Sequence, residues 1–323
     1  MGKIACLFPG QGSQSVGMGR DLFDNFEAAK TTMSEIDRIA GRGLSQLCFE
    51  GPESELKRTV NTQPTILAMS VAAWRCYEEL GGPQPDFVAG HSLGELTALV
   101  AARSLKLEDA VLLVEKRARL MEECPKGAMS AVIGLDCDAL VECTKQIEGE
   151  IKAAGGSAHD SCVVVANFNT REQMVISGNP DAVAKAGALA KSRGGKVIPL
   201  PVGGAFHSPL MQAAAQEFAL ELKRAQLHDA CCQVVQNFDA QPATAAGQIK
   251  EKLAKQIESA VRWCATVEYM LAQGVDTFVE IGPGKVLAGT VKKIDRQAKV
   301  HNIYDRESLQ STITALKQTM VVT

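Results

Sequence analysis

Short apolar runs alternate along this chain with longer stretches in which apolar residues recur every three or four positions. Residues 4–8 and Asp86-Phe87-Val88-Ala89 read as buried strands. The spacing predicts helices over about 21–40, 65–80, 93–102 and 108–122. Such alternation points to a parallel sheet wrapped by helices. From about Gly127 the texture changes: strands near 129–133, 163–167, 174–177 and 197–200 enclose helices near 139–148 and 181–192. That order, β-α-β-β-α-β, is ferredoxin-like, with Gly155-Gly156-Ser157 as a connection inside it. After Gly203-Gly204 a long helix from Pro209 returns to the first style, followed by further helices and by strands near 277–281 and 300–303. The expected organisation is an α/β chain whose large parallel-sheet lobe, residues 1–126 and 201–323, is interrupted by a small lobe at 127–200.

Composition narrows the classes. The 323 residues, 46% hydrophobic, suffice for a large core and exceed one simple domain. A net charge of −3 and a pI near 6.0 offer no general attraction to nucleic acid or to an anionic membrane. The ten cysteines show no zinc-type spacing with the five histidines, so no metal site is expected and a reducing compartment fits. No apolar run approaches the roughly 20 residues of a membrane span. The opening Met1-Gly2 would suit myristoylation, but Cys6 stands where that motif needs Ser or Thr. A cytoplasmic protein is expected, or an organelle-matrix one if a transit peptide has been removed.

The richest stretch is Gly90-His91-Ser92-Leu93-Gly94, a G-x-S-x-G signature between a strand-like run and a helix. In that context Ser92 falls on a nucleophile elbow, where small neighbours permit a sharp turn and the helix N-terminus offers N–H groups to an oxyanion. The plain alternative is an ordinary N-cap serine. A serine nucleophile needs a base. His91 is expected to point away from Ser92, and His159 and His228 read as surface residues. His207 sits in Gly203-Gly204-Ala205-Phe206-His207-Ser208-Pro209, a loop after a strand in which Ser208 and Pro209 suit a helix start. His301 is the rival, because an elbow hydrolase often carries its histidine late in the chain, yet its surroundings read as a strand.

Five ordered motifs carry a family resemblance. They are Phe8-Pro9-Gly10-Gln11-Gly12-Ser13-Gln14, Gly90 to Glu95, Lys116-Arg117-Ala118-Arg119-Leu120-Met121, Gly204 to Met211, and Glu280-Ile281-Gly282-Pro283-Gly284-Lys285-Val286-Leu287. Together the chain resembles the malonyl-CoA:acyl carrier protein transacylases of fatty-acid synthesis, nearly end to end. The resemblance implies an α/β-hydrolase-like large lobe, a ferredoxin-like small lobe and an active site between them. It implies Ser92 as acyl acceptor, His207 as base, and backbone N–H groups of Gln11 and Leu93 as oxyanion hole, with Gly10 and Gly12 allowing close approach. A backbone carbonyl around Gln256 would orient the histidine in place of a carboxylate.

By the same resemblance Arg117 would hold the malonyl carboxylate, where a guanidinium can make two charge-assisted bonds, and Phe206 would wall the acyl pocket. Read without it, Arg117 belongs to a solvated helix face with Lys116 and Arg119, and Phe206 to a core. Malonyl-CoA and an acyl carrier protein are the implied partners, with no cofactor, no nucleic acid, no membrane and a monomeric enzyme. Lys185, Lys191, Arg193 and Lys196 could meet an acidic carrier or form a solvated face. Leu96 and Ala260 depart from a tyrosine and a proline common in the family, which touches pocket shape and the Gln256 segment. Competing readings are a free-standing polyketide-synthase acyltransferase, a serine thioesterase, and a noncatalytic carrier-binding protein.

Overall fold

The computed structural model describes residues 2–321; Met1 and the last two positions of the 201–323 segment lie outside the described residues. The chain opens with β1 (Lys3–Phe8), then α1 (Arg20–Asn25), α2 (Glu27–Ala40), α3 (Leu44–Glu50), α4 (Glu53–Leu56) and α5 (Thr59–Glu79). The elbow follows, with β2 (Phe87–Gly90), α6 (Gly94–Ala101) and α7 (Leu107–Glu122). An antiparallel module comes next: β3 (Ala128–Ile133), α8 (Cys137–Ala153), β4 (Val163–Thr170), β5 (Gln173–Gly178), α9 (Pro180–Ser192) and β6 (Lys196–Pro199). The chain then completes the first sheet through α10 (Gln212–Arg224), β7 (Gln233–Val235), β8 (Pro242–Ala243), α11 (Ala246–Gln256) and α12 (Trp263–Ala272). It ends with β9 (Val275–Ile281), α13 (Val286–Ile294), β10 (Lys299–Ile303) and α14 (Arg306–Val321).

Six strands form the large sheet in the order β10-β9-β1-β2-β7-β8, every neighbouring pair parallel except the last. The departure at β8 has a local cause. Gln236 and Gln241 bond across a tight reversal in which Ala240 takes φ 56, and so short a connection can return only an antiparallel strand. Phe8 and Gly90 stand side by side at the ends of β1 and β2. The loops that follow, carrying Gln11 and Ser92, therefore leave the same edge, the carboxyl edge where open α/β sheets take their ligands.

The four strands β4-β5-β3-β6 pair antiparallel throughout, the ferredoxin-like order. One face buries Val132, Val165, Met174 and Ile176 beneath α8 and α9. Period two sends Met129, Ala131 and Val175 to the other face, where they line a cleft against the large sheet. The two parts are also joined by backbone, since Phe168 N donates to Val261 O at 2.9 Å and Val261 N to Ala166 O at 2.8 Å.

Two helices differ from the pattern. The stretch over 21–40 is broken by an extended Phe26, and the short helix before it is tied sideways, with Arg306 donating from its backbone to Asp21 and from its side chain to Asn25. Helix α5 begins six residues before Thr65, running through Pro64. Proline leaves the carbonyl four residues back without its usual donor, and here Arg42 Nη2 donates to that Val60 oxygen at 2.7 Å. A buried polar turn, Asn61-Thr62-Gln63, is thereby built into the helix and delivers Gln63 to the cleft.

Candidate active site

Steric exclusion makes the elbow. A Cβ on Gly90 would fall 1.9 Å from the Gly94 carbonyl, and one on Gly94 would fall 2.2 Å from Phe8 O. Strand, turn and helix can therefore pack this closely only with glycine at both places. Ser92 itself sits at φ 53, a left-handed conformation that non-glycine residues rarely hold without support. The support comes from Asn237, whose Oδ1 accepts from Ser92 N at 2.7 Å while its Nδ2 donates to Gly90 O at 2.7 Å.

Ser92 Oγ lies 2.7 Å from His207 Nε2. His207 also holds a positive φ, 58, and its backbone N donates to Ile257 O. Its Nδ1 faces two carbonyl oxygens, Gln256 O at 3.0 Å and Ser259 O at 3.1 Å. Carbonyls only accept, so Nδ1 carries the proton and Nε2 presents its lone pair to the serine. Ser208 occupies the N-cap position of the turn at Pro209, but its hydroxyl donates back to Ala205 O rather than capping it.

Burial pushes the His207 imidazole down to about 3, with the Arg117 charge next in importance. Only the neutral ring can accept a proton, so the competent form persists far below the usual imidazole range. We expect the serine acylation rate, followed by rapid quench with acetyl-CoA, to stay flat as pH falls from 8 through about 6.5, where an ordinary histidine would titrate. A half-maximal rate near that value would contradict this environment.

Arg117 is turned inward on α7 and is 1% exposed, while Lys116 is half-buried and Arg119 exposed; the three do not form one solvated face. Its Nη1 donates to Gln63 Oε1 at 2.6 Å, and its Nη2 to Gln256 Oε1 at 2.9 Å and Ser92 Oγ at 3.0 Å. Nε has no partner among the described residues. Burial lowers the guanidinium to about 10, against the favourable pull of Glu95, so it remains charged at neutral pH.

Neither Gln11 N nor Leu93 N has a hydrogen-bond acceptor among the described residues. Gly10 does make a close approach, since a Cβ there would lie 2.5 Å from His91 O, whereas Gly12 has open space and is needed for its φ of 103. Phe206 is buried and lines the cleft. The cleft holds about 300 Å³, with Gln11, Ser92, Arg117, His207 and Phe206 on one side and Met129 and Val175 on the other. Among the described residues no three His, Cys, Asp or Glu side chains gather as a metal-binding group.

Two other histidines find their partners away from the Ser92 hydroxyl. The His91 ring makes no hydrogen bond to Ser92 among the described residues: its Nε2 lies 2.8 Å from Asn169 Oδ1 and the ring packs against Trp263, at the lining of the cleft. His301 lies in β10 beside a separate polar cavity with Lys285 and Tyr304, away from Ser92. The polar residues Gln63, Asn237 and Asn169 went unremarked in the sequence, and Glu95 entered only as the last residue of the elbow motif. Only Glu95 left a trace, a carboxylate set among apolar helix positions directly after the elbow.

The acyl transferase domain family model matches residues 6–318. A malonyl CoA-acyl carrier protein transacylase of Bacillus subtilis strain 168 is 44% identical over 322 residues, 98% of each chain. Among solved structures, an acyl carrier protein S-malonyltransferase from Vibrio cholerae is 40% identical with a TM-score of 0.89, over 96% of this chain and 99% of that one. A malonyl-transacylase solved with a type II PKS acyl-carrier protein is 38% identical with a TM-score of 0.91, over 97% and 99%.

Proposed function

Given that the chain belongs to the acyl transferase family, among its malonyl-CoA:acyl carrier protein transacylases, we propose that it moves malonyl from CoA to a carrier-protein thiol through an ester on Ser92. One observation carries the residue assignment: Ser92 Oγ meets a neutral imidazole at 2.7 Å and a buried guanidinium at 3.0 Å within a single cleft.

In the first half-reaction Ser92 Oγ attacks the thioester carbonyl while His207 Nε2 takes its proton. Charge gathers on the carbonyl oxygen, and the unpaired amides of Gln11 and Leu93 are the donors for it. The intermediate collapses, the C–S bond breaks, and CoA leaves with the proton from His207. Malonyl-Ser92 remains. In the second half-reaction the carrier thiol gives its proton to His207 and attacks the ester, and Ser92 Oγ recovers that proton as it leaves. Every proton and bond is accounted for by the chain and its two substrates.

Arg117 binds the malonyl carboxylate. Its Nη2 reaches Ser92 Oγ at 3.0 Å, so the cation stands beside the atom that would carry the acyl ester. Phe206, beside the base, walls the acyl pocket, and Gln256 supplies the carbonyl that orients His207. All these groups come from one chain, which supports a monomeric catalytic unit. We read residues 127–200 as the small lobe that closes the cleft. The ten cysteines, all unpaired, favour a reducing setting such as the cytoplasm. No helix among the described residues is long and apolar enough to cross a membrane.

Mixing the protein with malonyl-CoA and weighing it intact tests the assignment. A malonyl adduct that maps to Ser92 and passes to added carrier protein is expected. Rapid release of free malonate with no adduct would instead establish a thioesterase.

A further inference from the structure

Glu95 stands in the first turn of α6, is 1% exposed, and takes no part in the steps above. Its carboxylate accepts three N–H groups: Gln236 Nε2 at 3.1 Å on Oε1, and Asn237 N and Gln256 Nε2, both at 2.9 Å, on Oε2. Three donors converging on one carboxyl group suit the ionised form, which only accepts. The cation that answers it is Arg117, but the two do not touch. Between them lies the Gln256 amide, which accepts from Arg117 Nη2 through Oε1 and donates to Glu95 through Nε2.

This spacing has a chemical consequence. A carboxylate bonded directly to Arg117 would fill the fork that a substrate carboxylate needs. One amide away, it still compensates the buried charge while the guanidinium keeps only neutral partners, with Nε unpartnered among the described residues. Gln256 Nε2 also donates to Ser92 O at 2.9 Å, and Asn237, held by Glu95 through its backbone, braces the turn on the other side. We infer that Glu95 is a positioning residue of the transfer reaction: through the Gln256 amide it aims the Arg117 guanidinium at the acyl carboxylate, and so it sets the preference for a carboxylated acyl group. The inference rests on the acyl-transfer reading of the site.

The test compares kcat/KM for malonyl-CoA and acetyl-CoA, with carrier protein, in the parent, Glu95→Gln, Arg117→Ala and their combination, after thermal melts establish folding. Glu95→Gln should cut malonyl transfer about a hundredfold and acetyl transfer about tenfold, a tenfold loss of preference on the scale of one charge-assisted bond. The double variant should show no further loss of preference beyond Arg117→Ala, because both act on one fork. Equal losses for the two acyl groups, or additive losses of preference, would overturn the inference.

Should Glu95→Gln not fold, Gln256→Met cuts the same link while keeping the backbone carbonyl that His207 uses, and it must lower the malonyl preference likewise. An unchanged preference there counts equally against the inference. A parent enzyme that takes up no malonyl would sink the acyl-transfer reading itself, which is a separate outcome.

Discussion

Replacing His207 with alanine is expected to slow formation of malonyl-Ser92 by about a thousandfold, within the range a positioned general base contributes. The argument begins with the serine. Its hydroxyl is a poor nucleophile at neutral pH, and Arg117 Nη2, donating to the same oxygen at 3.0 Å, lowers its electron density further. Among the described residues the one base in reach is the His207 Nε2 lone pair, 2.7 Å away, and it is aimed there because Gln256 O and Ser259 O fix the proton on Nδ1. Two carbonyls do the orienting work that an aspartate does in many serine enzymes. They impose the tautomer without stabilising an imidazolium as strongly as a full negative charge would. The prediction is checked by single-turnover acylation followed by intact mass. His301→Ala serves as the comparison and should acylate at the parental rate, since that residue lies by a different cavity. Parental acylation in His207→Ala, with loss in His301→Ala, would reverse the assignment.

What could be read from the chain divides along a physical line. The elbow was legible because its cause is local: glycines at 90 and 94 are demanded by atoms only a few residues away or on the adjoining strand. The antiparallel module was legible because period two and period 3.6 alternate cleanly from Ala128 to Pro199. The polar scaffold behind Ser92 was not. Asn237 follows a three-residue strand and Gln63 belongs to a turn upstream of a proline; each acquires meaning only when the sheet brings it beside α6 and α7. Gln63 was hidden for a further reason, since the helix that carries it extends past Pro64 only with help from Arg42, a residue on a different segment. Arg117 is the intermediate case. Read from the sequence alone it belongs with Lys116 and Arg119 to a solvated face of α7. The family motif pointed inward, which is where the side chain lies.

Arg117→Ala should lower kcat/KM for malonyl-CoA by about a thousandfold and for acetyl-CoA by no more than about tenfold, the difference corresponding to two charge-assisted bonds made with the carboxylate alone. The asymmetry follows from where the guanidinium stands. It touches Ser92 Oγ, so its removal disturbs any acyl group a little. Its main partner, however, is absent from acetyl. Burying a carboxylate in this cleft without a cation would leave an uncompensated charge in an apolar-walled space, which the substrate avoids by not binding. Arg117→Lys should recover less than a tenth of the lost malonyl activity, because an ammonium cannot reproduce the planar fork that now spans Gln63, Gln256 and the serine. This cation is under-satisfied by the protein, with Nε unpartnered among the described residues and burial drawing the group down to about 10. A bound carboxylate relieves both defects, so free malonate should raise the melting temperature of the parent and leave that of Arg117→Ala unchanged. Steady-state kinetics with the two acyl-CoAs and a malonate titration of the melt measure these effects. Equal kinetic losses for malonyl and acetyl would remove Arg117 from the carboxylate and leave it a prop for the serine.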